Sequence, residues 1–530
     1  MCNGFTRLEI VGGINGAQPI FSEDESSVLI ANGEVFNYQE LRDEFLFAHT
    51  LRTESDVEVL LHLYEELGIE FIHQIEGQFS FVVLDKIKNK IMFARDRWGI
   101  TPLFYALPNN QLVVSSSIRS VISSGLIDDV SLDPTGLAES WALYGATSPR
   151  TCFKHIFQLP PGSFAEFDLT SHEFTNTSYM DMARPRRRSS ESLTTLLEAS
   201  VARRLQGDYA PGAYVSGGID SSIIAALINQ VSPTKPKLYS IAFENPAFDE
   251  SPFQRMLADY LECELRTVTV GVDDIINNLD ACVATTESPL TRSAPVPMML
   301  LSAAVHADGL KYVLCGEGAD ELFAGYPVFT KGKASVTDKW NELSSFISYF
   351  QDPGLPDKLR ASAMSFLEAT TDLRTLRKRE IDTKLSRYLL VGQGDRVSMA
   401  NSVEQRFPFL DSGVSDLAFS ASQEQLMCGG EGKRMLRESF RDLLPEQLLS
   451  RKKQGYLTPD FDVVTALQER GLLRQKLSKD MCDRVGVFRH DALDYLIQNF
   501  QTEAEARFLL FTYTTHVLFT DFMGDKTDDA

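Results

Sequence analysis

The sequence predicts two domains of different architecture: an antiparallel α+β domain, followed by an α/β domain built on a parallel sheet. Short apolar or alternating runs, separated by turn residues, dominate the chain up to about residue 170. A polar, basic stretch then spans residues 183–192. Beyond it, apolar strands alternate with helical patterns, which is typical of a parallel sheet with crossover helices. We therefore place the domains at residues 1–183 and 184–530.

The first domain contains several predicted strands and one predicted helix. The strands include Arg7–Val11, Ser27–Ala31, Gln78–Leu84, Lys90–Ala94, Thr101–Tyr105 and Gln111–Ser115. The helix spans Asp56–Leu67. Ser55 is its expected N-cap because Glu58 follows three residues later, as in a capping box.

The second domain shows the alternation of a parallel sheet. Its predicted strands are Gly212–Val215, Lys237–Phe243 and Lys311–Cys315, and its predicted helices are Ser221–Asn229, Pro252–Tyr260 and Pro297–Ala307. Ligands of open parallel sheets bind beyond the carboxyl ends of the strands. The three strand ends are therefore expected to face one pocket. Beyond about Asp338 the sequence indicates mostly helix.

Composition and charge restrict the class of protein. The chain has 530 residues, of which 43% are hydrophobic and 23% charged, as in soluble globular proteins. It has no apolar run of the roughly 18 residues that a membrane span requires, and no secretory pattern. A net charge of −22 argues against a nucleic-acid partner. Seven cysteines without a CxxC pair predict reduced thiols in a cytoplasmic protein. Eight histidines without ligand-type spacing predict no structural zinc site.

Residues 215–222, Val-Ser-Gly-Gly-Ile-Asp-Ser-Ser, form the most informative segment. Two glycines between a strand and a helix let backbone N–H groups approach a phosphate, and the helix N-terminus adds positive dipole. The Asp220 carboxylate can hold the magnesium ion that accompanies a nucleotide. No Gly-Lys-Ser/Thr follows the glycines, so this is not a Walker loop. The alternative is an ordinary strand-to-helix turn with a polar cap.

Further charged segments follow. Glu317, Asp320 and Glu321 lie within five positions just past a buried strand. Like charges this close require a metal or a cation, unless they are acids at a helix N-terminus. Residues 395–411 taken alone indicate a helix-to-turn segment with internal ion pairs. Cations gather at residues 433–434 and 451–453, where the alternative is a solvated basic face.

These segments, in this order, resemble the synthetase domain of glutamine-dependent asparagine synthetases over about residues 194–458. The resemblance implies the fold of the PP-loop ATP pyrophosphatases, with ATP and Mg²⁺ as cofactors. It implies that a carboxylate, aspartate in that family, attacks the α-phosphate of ATP, and that ammonia then displaces AMP to form an amide. It implies small-molecule substrates and is compatible with a homodimer.

The resemblance also assigns roles to matching residues. The pyrophosphate-binding positions are Ser216, Gly217, Gly218 and Ser221; the adenosine-lining positions are Tyr214, Phe243, Cys315 and Gly316; the magnesium ligands are Asp220 and Asp320. Lys433 matches the lysine that offsets charge on the pentavalent phosphorus. Glu317 matches the glutamate that orients or deprotonates ammonia. The acceptor pocket is expected at residues 287–297.

Four segments of the first domain, at residues 16–19, 32–38, 54–58 and 95–99, resemble the glutaminase domain of the same family, which has an Ntn-type antiparallel fold. The glutamine-binding positions are Arg7, Leu8, Glu9, Ile10, Val11, Asn32, Gly33, Glu34 and Asp56. Alone, Asn-Gly-Glu indicates a hairpin turn. Cys2 resembles the N-terminal nucleophile, whose own α-amino group is the base once Met1 is removed.

Only four residues separate Cys2 from Arg7, and the family's Arg-His-Arg-Gly-Pro-Asp segment is absent. We therefore expect an N-terminally shortened glutaminase domain, with free ammonia or residual glutamine as the nitrogen donor. The nearest alternative is a β-lactam synthetase-like enzyme; such enzymes tend to replace the family glutamate by tyrosine, whereas this chain keeps Glu317. Peptide cyclases, other amidotransferases of specialised metabolism, a tRNA-modifying enzyme and a non-catalytic binding protein stay open.

Overall fold

The first domain is built on an antiparallel sheet in the computed structural model, which describes residues 4–5, 8–179, 190–331, 341, 344–367, 372–451 and 455–524. The strands are β1 (Ile20–Phe21), β2 (Ser27–Val35), β3 (Gly77–Asp85), β4 (Lys90–Arg95), β5 (Phe104–Ala106), β6 (Val113–Ser115), β7 (Phe157–Gln158), β8 (Ser163–Asp168) and β9 (Phe174–Ser178). Six of them form one sheet in the order β1-β2-β3-β4-β8-β9, and three form a small sheet in the order β6-β5-β7. The predicted antiparallel architecture is confirmed.

The described part of this domain also contains four α-helices: α1 (Tyr38–Phe45), α2 (Glu58–Leu67), α3 (Ile118–Ser123) and α4 (Pro134–Leu143). Helix α2 is buried over most of its length and packs against the large sheet through Leu60 and Leu63. A 3₁₀ segment, Gly68–His73, follows it.

The second domain contains a five-stranded parallel sheet in the order β12-β11-β10-β13-β14. Its strands are β10 (Gly212–Tyr214), β11 (Lys237–Phe243), β12 (Leu265–Val270), β13 (Tyr312–Leu314) and β14 (Glu404–Arg406). The helices between and before them are α5 (Leu193–Arg204), α6 (Ile219–Val231), α7 (Ser251–Leu261), α8 (Val272–Thr286), α9 (Pro295–Ala307), α10 (Ala319–Leu322) and α11 (Val328–Lys331). The predicted parallel sheet with crossover helices is confirmed.

The C-terminal part is helical, as predicted. The α-helices are α12 (Leu355–Leu367), α13 (Leu373–Glu380), α14 (Arg396–Met399), α15 (Ser412–Ser420), α16 (Gln423–Leu426), α17 (Arg434–Ser439), α18 (Glu446–Leu449), α19 (Asp460–Glu469), α20 (Leu472–Lys476), α21 (Lys479–Val485), α22 (His490–Asn499) and α23 (Glu503–Met523). Two π-helical segments, Ile381–Leu389 and Val391–Asp395, precede α14.

The two domains share a buried interface. The indole N–H of Trp98 donates to the Leu410 carbonyl oxygen at 2.7 Å, and Arg97 pairs with Asp416 at 3.2 Å. Trp98 belongs to a buried cluster that continues into the parallel-sheet domain. The predicted boundary near residue 183 lies outside the described residues and stays a prediction.

Two local predictions are wrong. Leu8–Val11 form no strand, although Ile10 is buried, and Arg7 lies outside the described residues. Helix α2 begins at Glu58 with Val57 as N-cap, so Ser55 does not cap it. The Glu58 carboxylate instead accepts hydrogen bonds from the backbone N–H groups of Arg52 and Thr53, both at 2.7 Å, which draws the preceding loop over the helix start.

Six cysteines fall in the described part of the chain, and all six are free thiols. Among the helices described there, none combines the length and the apolar character that a membrane span requires.

Candidate active site

A cavity of about 310 Å³ lies at the carboxyl edge of the parallel sheet. The segments that follow β10, β11 and β13 all contribute to its wall, so the three predicted strand ends do face one pocket. The predicted site residues that line it are Tyr214, Ser216, Asp220, Ser221, Phe243, Gly316, Glu317 and Asp320.

The loop between β10 and α6 is shaped by its glycines and serines. Gly217 has φ +71°, and a Cβ there would lie 2.6 Å from the Cβ of Phe253. The Ser221 hydroxyl accepts from the Ser216 N–H at 3.1 Å and lies 3.2 Å from the Ser216 hydroxyl oxygen. The Gly218 N–H donates to the Ser216 hydroxyl at 3.3 Å, just before α6 begins. This arrangement gathers hydroxyl and N–H donors at a helix N-terminus, which suits a phosphate.

Lys433 lies between the two predicted magnesium ligands. Its Nζ is 2.5 Å from Asp220 Oδ2 and 2.5 Å from Asp320 Oδ1, and the residue is only 2% exposed. Lys433 has φ +61° at the N-terminus of α17, and its N–H donates to the Phe323 carbonyl at 2.8 Å. The alternative of a solvated basic face is therefore wrong for Lys433. Its neighbour Arg434 does follow that pattern, with an exposed ion pair to Glu438 at 2.7 Å.

Glycine backbone makes room for this ion-pair cluster. A Cβ on Gly325 would lie 2.0 Å from Asp320 Oδ1 and 2.3 Å from Lys433 Cε. A Cβ on Gly316 would lie 2.8 Å from the Ser221 N atom, so the loop after β13 touches the start of α6. Glycine at these two positions therefore allows closer contacts, of Gly325 with Asp320 and Lys433 and of Gly316 with Ser221, than a residue with a Cβ would permit.

Tyr214 and Cys315 occupy different positions relative to the cavity. The Tyr214 hydroxyl is buried in the cavity wall, with no hydrogen-bond partner within the described ranges. Burial, together with the nearby Cys315 and Glu317, raises the pKa of Tyr214 well above its usual value. Cys315 is fully buried and does not line the cavity. Its thiol donates to Gln405 Oε1 in the adjacent strand at 3.5 Å, and burial raises its pKa.

We term a further group of lining residues the far end of the cavity: Tyr144, Arg292, Glu321, Tyr326, Lys384, Tyr388 and Tyr456. Glu321 belongs to the predicted acidic segment and Arg292 to the predicted acceptor segment, whereas sequence patterns did not identify the other five. Tyr144 comes from the first domain, and its ring centroid lies 5.8 Å from that of Tyr388. Tyr326 donates its hydroxyl to Glu321 at 2.7 Å. Burial, and next the neighbouring charge of Asp320, raise the pKa of Glu321 to about 7.

The predicted acceptor segment, residues 287–297, contributes one residue to the lining, Arg292. Arg292 pairs with Asp460 at 3.7 Å. Glu287 faces elsewhere: it accepts from the Ile118 N–H at 2.7 Å at the start of α3 and pairs with Arg396. Glu287 therefore joins the two domains.

A second cavity, of about 60 Å³, lies in the first domain beside the interface. The predicted glutamine-binding residues that line it are Leu8, Ile10, Val11, Asn32, Gly33, Glu34 and Asp56. Met399 and Glu404 of the second domain also line it. Glu9 is exposed and does not, whereas Cys2 and Arg7 lie outside the described residues.

Acidic groups dominate this second cavity. Asp56 Oδ2 accepts from the Val35 N–H at 2.8 Å, and burial raises the pKa of Asp56 to about 6. Burial likewise raises the pKa of Glu34 well above its usual value, although its ion pair with Arg406 opposes this. Asn32–Glu34 lie inside β2, so the hairpin-turn alternative is wrong. At Gly33, φ is +114°, and a Cβ would lie 2.0 Å from the Gln78 carbonyl oxygen.

Comparison with known proteins identifies both halves of the chain. The model of the asparagine synthase family matches residues 192–515, and that of a glutamine amidotransferase domain matches residues 1–180. Asparagine synthetase [glutamine-hydrolyzing] 1 of Bacillus subtilis is 28% identical and covers 86% of this chain and 79% of its own. Amidase chry2 of Gibberella zeae is 26% identical, and the match covers 86% of this chain and 80% of the amidase. Amidase chyE of Penicillium rubens is 30% identical, and the match covers 64% of this chain and 53% of the amidase.

Proposed function

This chain belongs to the asparagine synthase family, and we propose that it is an amide synthetase that converts ATP to AMP and pyrophosphate. One observation carries the proposal. The Lys433 ammonium group lies 2.5 Å from Asp220 and from Asp320, which follow two different strands beside the glycine loop. A buried cation held against two carboxylates beside a phosphate-type loop is the charge arrangement that adenylation of a carboxylate requires.

In the first step, a carboxylate oxygen of the acceptor attacks the α-phosphorus of ATP. The bond between that phosphorus and the α,β-bridging oxygen breaks, and pyrophosphate leaves. Ser216, Ser221 and the loop N–H groups hold the pyrophosphate, while Lys433 offsets charge on the phosphorus. The Tyr214 hydroxyl in the cavity wall has no hydrogen-bond partner within the described ranges, which suits a nucleotide in this cavity.

The residues also fit a magnesium ion. Asp220 and Asp320 supply the carboxylate oxygens that Mg²⁺ prefers, on loops that meet at one point. When bound, the ion neutralises charge on the pyrophosphate group.

In the second step, the nitrogen of ammonia attacks the acyl carbon. The bond between that carbon and the AMP oxygen breaks, AMP leaves, and an amide forms. Glu317, in the cavity wall beside Gly316, accepts the proton that nitrogen loses. We propose ammonia as the nucleophile of this step, because Glu317 lines the cavity and can take up that proton there.

The far end of the cavity is the proposed acceptor site. Arg292, Lys384 and Glu321 bring both signs of charge to it, which suits an acceptor with amino and carboxylate groups. Aspartate is the first candidate. A second candidate is a larger acceptor of specialised metabolism, as in a β-lactam synthetase-like or other cyclising enzyme. Two observations favour it: four tyrosines line this end, and two relatives are named amidases.

A carboxylate screen tests the proposal. The protein is incubated with Mg-ATP, ammonium and single carboxylates, aspartate first, and the phosphorus products are identified by ³¹P NMR. The accepted carboxylate should yield AMP and pyrophosphate. Asp220→Asn and Asp320→Asn should lose most of this activity, whereas the exposed control Asp259→Asn should keep it. ADP as product, or full activity in both site variants, would contradict the proposal. No nucleotide turnover with any carboxylate would favour a binding protein.

A further inference from the structure

Four side chains in the first domain converge away from both cavities: Glu23, His49, His62 and Glu65. One donor atom from each lies within 4.8 Å of all the others. Glu23 is in the turn between β1 and β2, His49 is in the loop after α1, and the other two are on α2. We propose that these four side chains bind one Zn²⁺ ion as a structural site.

The donor spacing fits four-coordinate zinc. His49 Nδ1 lies 3.1 Å from Glu23 Oε1, and His62 Nδ1 lies 3.5 Å from Glu23 Oε2 and 3.0 Å from Glu65 Oε2. A tetrahedral zinc ion with bonds of about 2.0–2.1 Å separates neighbouring donors by about 3.3 Å. These three distances bracket that value, and one donor atom from each of the four side chains lies within 4.8 Å of the others.

The outer faces of both histidines support the same assignment. His49 Nε2 lies 2.9 Å from Glu66 Oε1, and His62 Nε2 lies 3.5 Å from Glu58 Oε1. A zinc-bound histidine characteristically directs its other N–H at a carboxylate, which orients the ring. Both rings therefore present Nδ1 to the shared centre and Nε2 to an outer glutamate.

The two rings lie close together. Their centroids are 4.6 Å apart, and His62 is fully buried. One ion between the two Nδ1 atoms would therefore join the loop after α1 to helix α2.

The carboxylates are held in position by the backbone. Glu23 Oε1 accepts from the Thr50 N–H at 3.1 Å, and Glu58 accepts from the N–H groups of Arg52 and Thr53 at 2.7 Å. Two imidazole nitrogens with two carboxylate oxygens favour zinc over magnesium or calcium, which prefer oxygen alone. The ion would tie α2 to two loops and so help position Asp56, which precedes α2 at the second cavity.

Zinc binding to the tag-free full chain tests the proposal. Protein stripped with a chelator is titrated with Zn²⁺ alone against a chromophoric competitor, and bound metal is counted by mass spectrometry. We expect one zinc per chain, nitrogen and oxygen neighbours at about 2.0–2.1 Å by X-ray absorption, and a lower Tm in the stripped protein. His49→Gln and His62→Gln should lose stoichiometric binding. Glu66→Gln should weaken binding by about 10–100-fold.

His73→Gln is the matched control, because His73 also faces a glutamate, Glu70 at 3.8 Å, but lies outside the cluster. It should bind zinc like the unmodified chain. His49 lies in a loop, so its variant reports on the site even if His62→Gln does not fold. Three results would overturn the proposal: no zinc bound at one per chain, equal binding by His49→Gln and the control, or sulfur among the zinc neighbours.

Discussion

Replacing Lys433 by methionine removes an ammonium group that contacts both Asp220 and Asp320. At 2.5 Å and an effective dielectric constant of about 20, each contact is worth about 7 kcal/mol before the cost of removing the charges from water. Desolvation offsets much of this, and loss of one partner of a buried pair typically costs about 3–5 kcal/mol. We therefore expect Lys433→Met to lower the free energy of unfolding by about that amount in magnesium-free buffer.

Denaturant titration followed by fluorescence measures this loss, and single-turnover kinetics with Mg-ATP measures the rate. The rate should fall by about 10²–10³-fold, as for loss of one transition-state donor. Adding Asp220→Asn to Lys433→Met should recover part of the stability, because it removes one of the two like charges. Lys235→Met is the control: its ion pair with Glu262 is exposed and is worth at most about 1 kcal/mol. Unchanged stability and rate in Lys433→Met would refute the reasoning.

Three further predictions follow from the same geometry. Tyr144→Ala should raise KM for the acceptor and leave KM for ATP unchanged in steady-state assays, because Tyr144 lies beside Tyr388 in the proposed acceptor site; equal changes in both would contradict this. Burial raises the pKa of Asp395 from 3.8 to about 7, although Arg396 opposes the rise. The folded state therefore binds the proton more tightly, so stability is lost as pH rises from about 4 to about 7. In denaturant titrations at a series of pH values, Asp395→Asn should lose less stability between about pH 4 and pH 7 than the unmodified chain. Amide should form from ammonium, because Asp220, Glu317 and Asp320 line one cavity, and Cys2→Ala should leave this ammonium-dependent rate unchanged; loss of that rate in Cys2→Ala would contradict this.

Local sequence patterns predicted the elements that bury continuous apolar runs. Strand β11 has the predicted bounds, Lys237–Phe243, and is buried along most of its length. Strand β14, Glu404–Arg406, escaped prediction because its three residues are all polar. Arg406 is buried against Glu34 of the other domain and against Glu404. These tertiary ion pairs help to stabilise a charged strand at the edge of the sheet, and no local periodicity encodes them.

The site residues likewise divide into those encoded by a local sequence pattern and those brought together only by the fold. The phosphate-loop residues were predictable because glycines, serines and Asp220 stand together at a strand end. Tyr144 and Lys384 were not, since distant segments bring them to the cavity. The histidine cluster shows the limit of spacing rules. His62 and Glu65 are three residues apart on α2, but Glu23 and His49 join them only through the fold, so the expectation of no zinc site is replaced by a proposal.

The fate of oxygen-18 from the acceptor carboxylate tests amide formation through an acyl-adenylate most directly. The accepted carboxylate, labelled with oxygen-18, is turned over with Mg-ATP and ammonium, and the phosphorus products are separated and weighed by mass spectrometry. Attack of the carboxylate on the α-phosphorus predicts label in the AMP phosphate and none in pyrophosphate. Label in inorganic phosphate alongside ADP, or AMP without label, would contradict the proposed reaction.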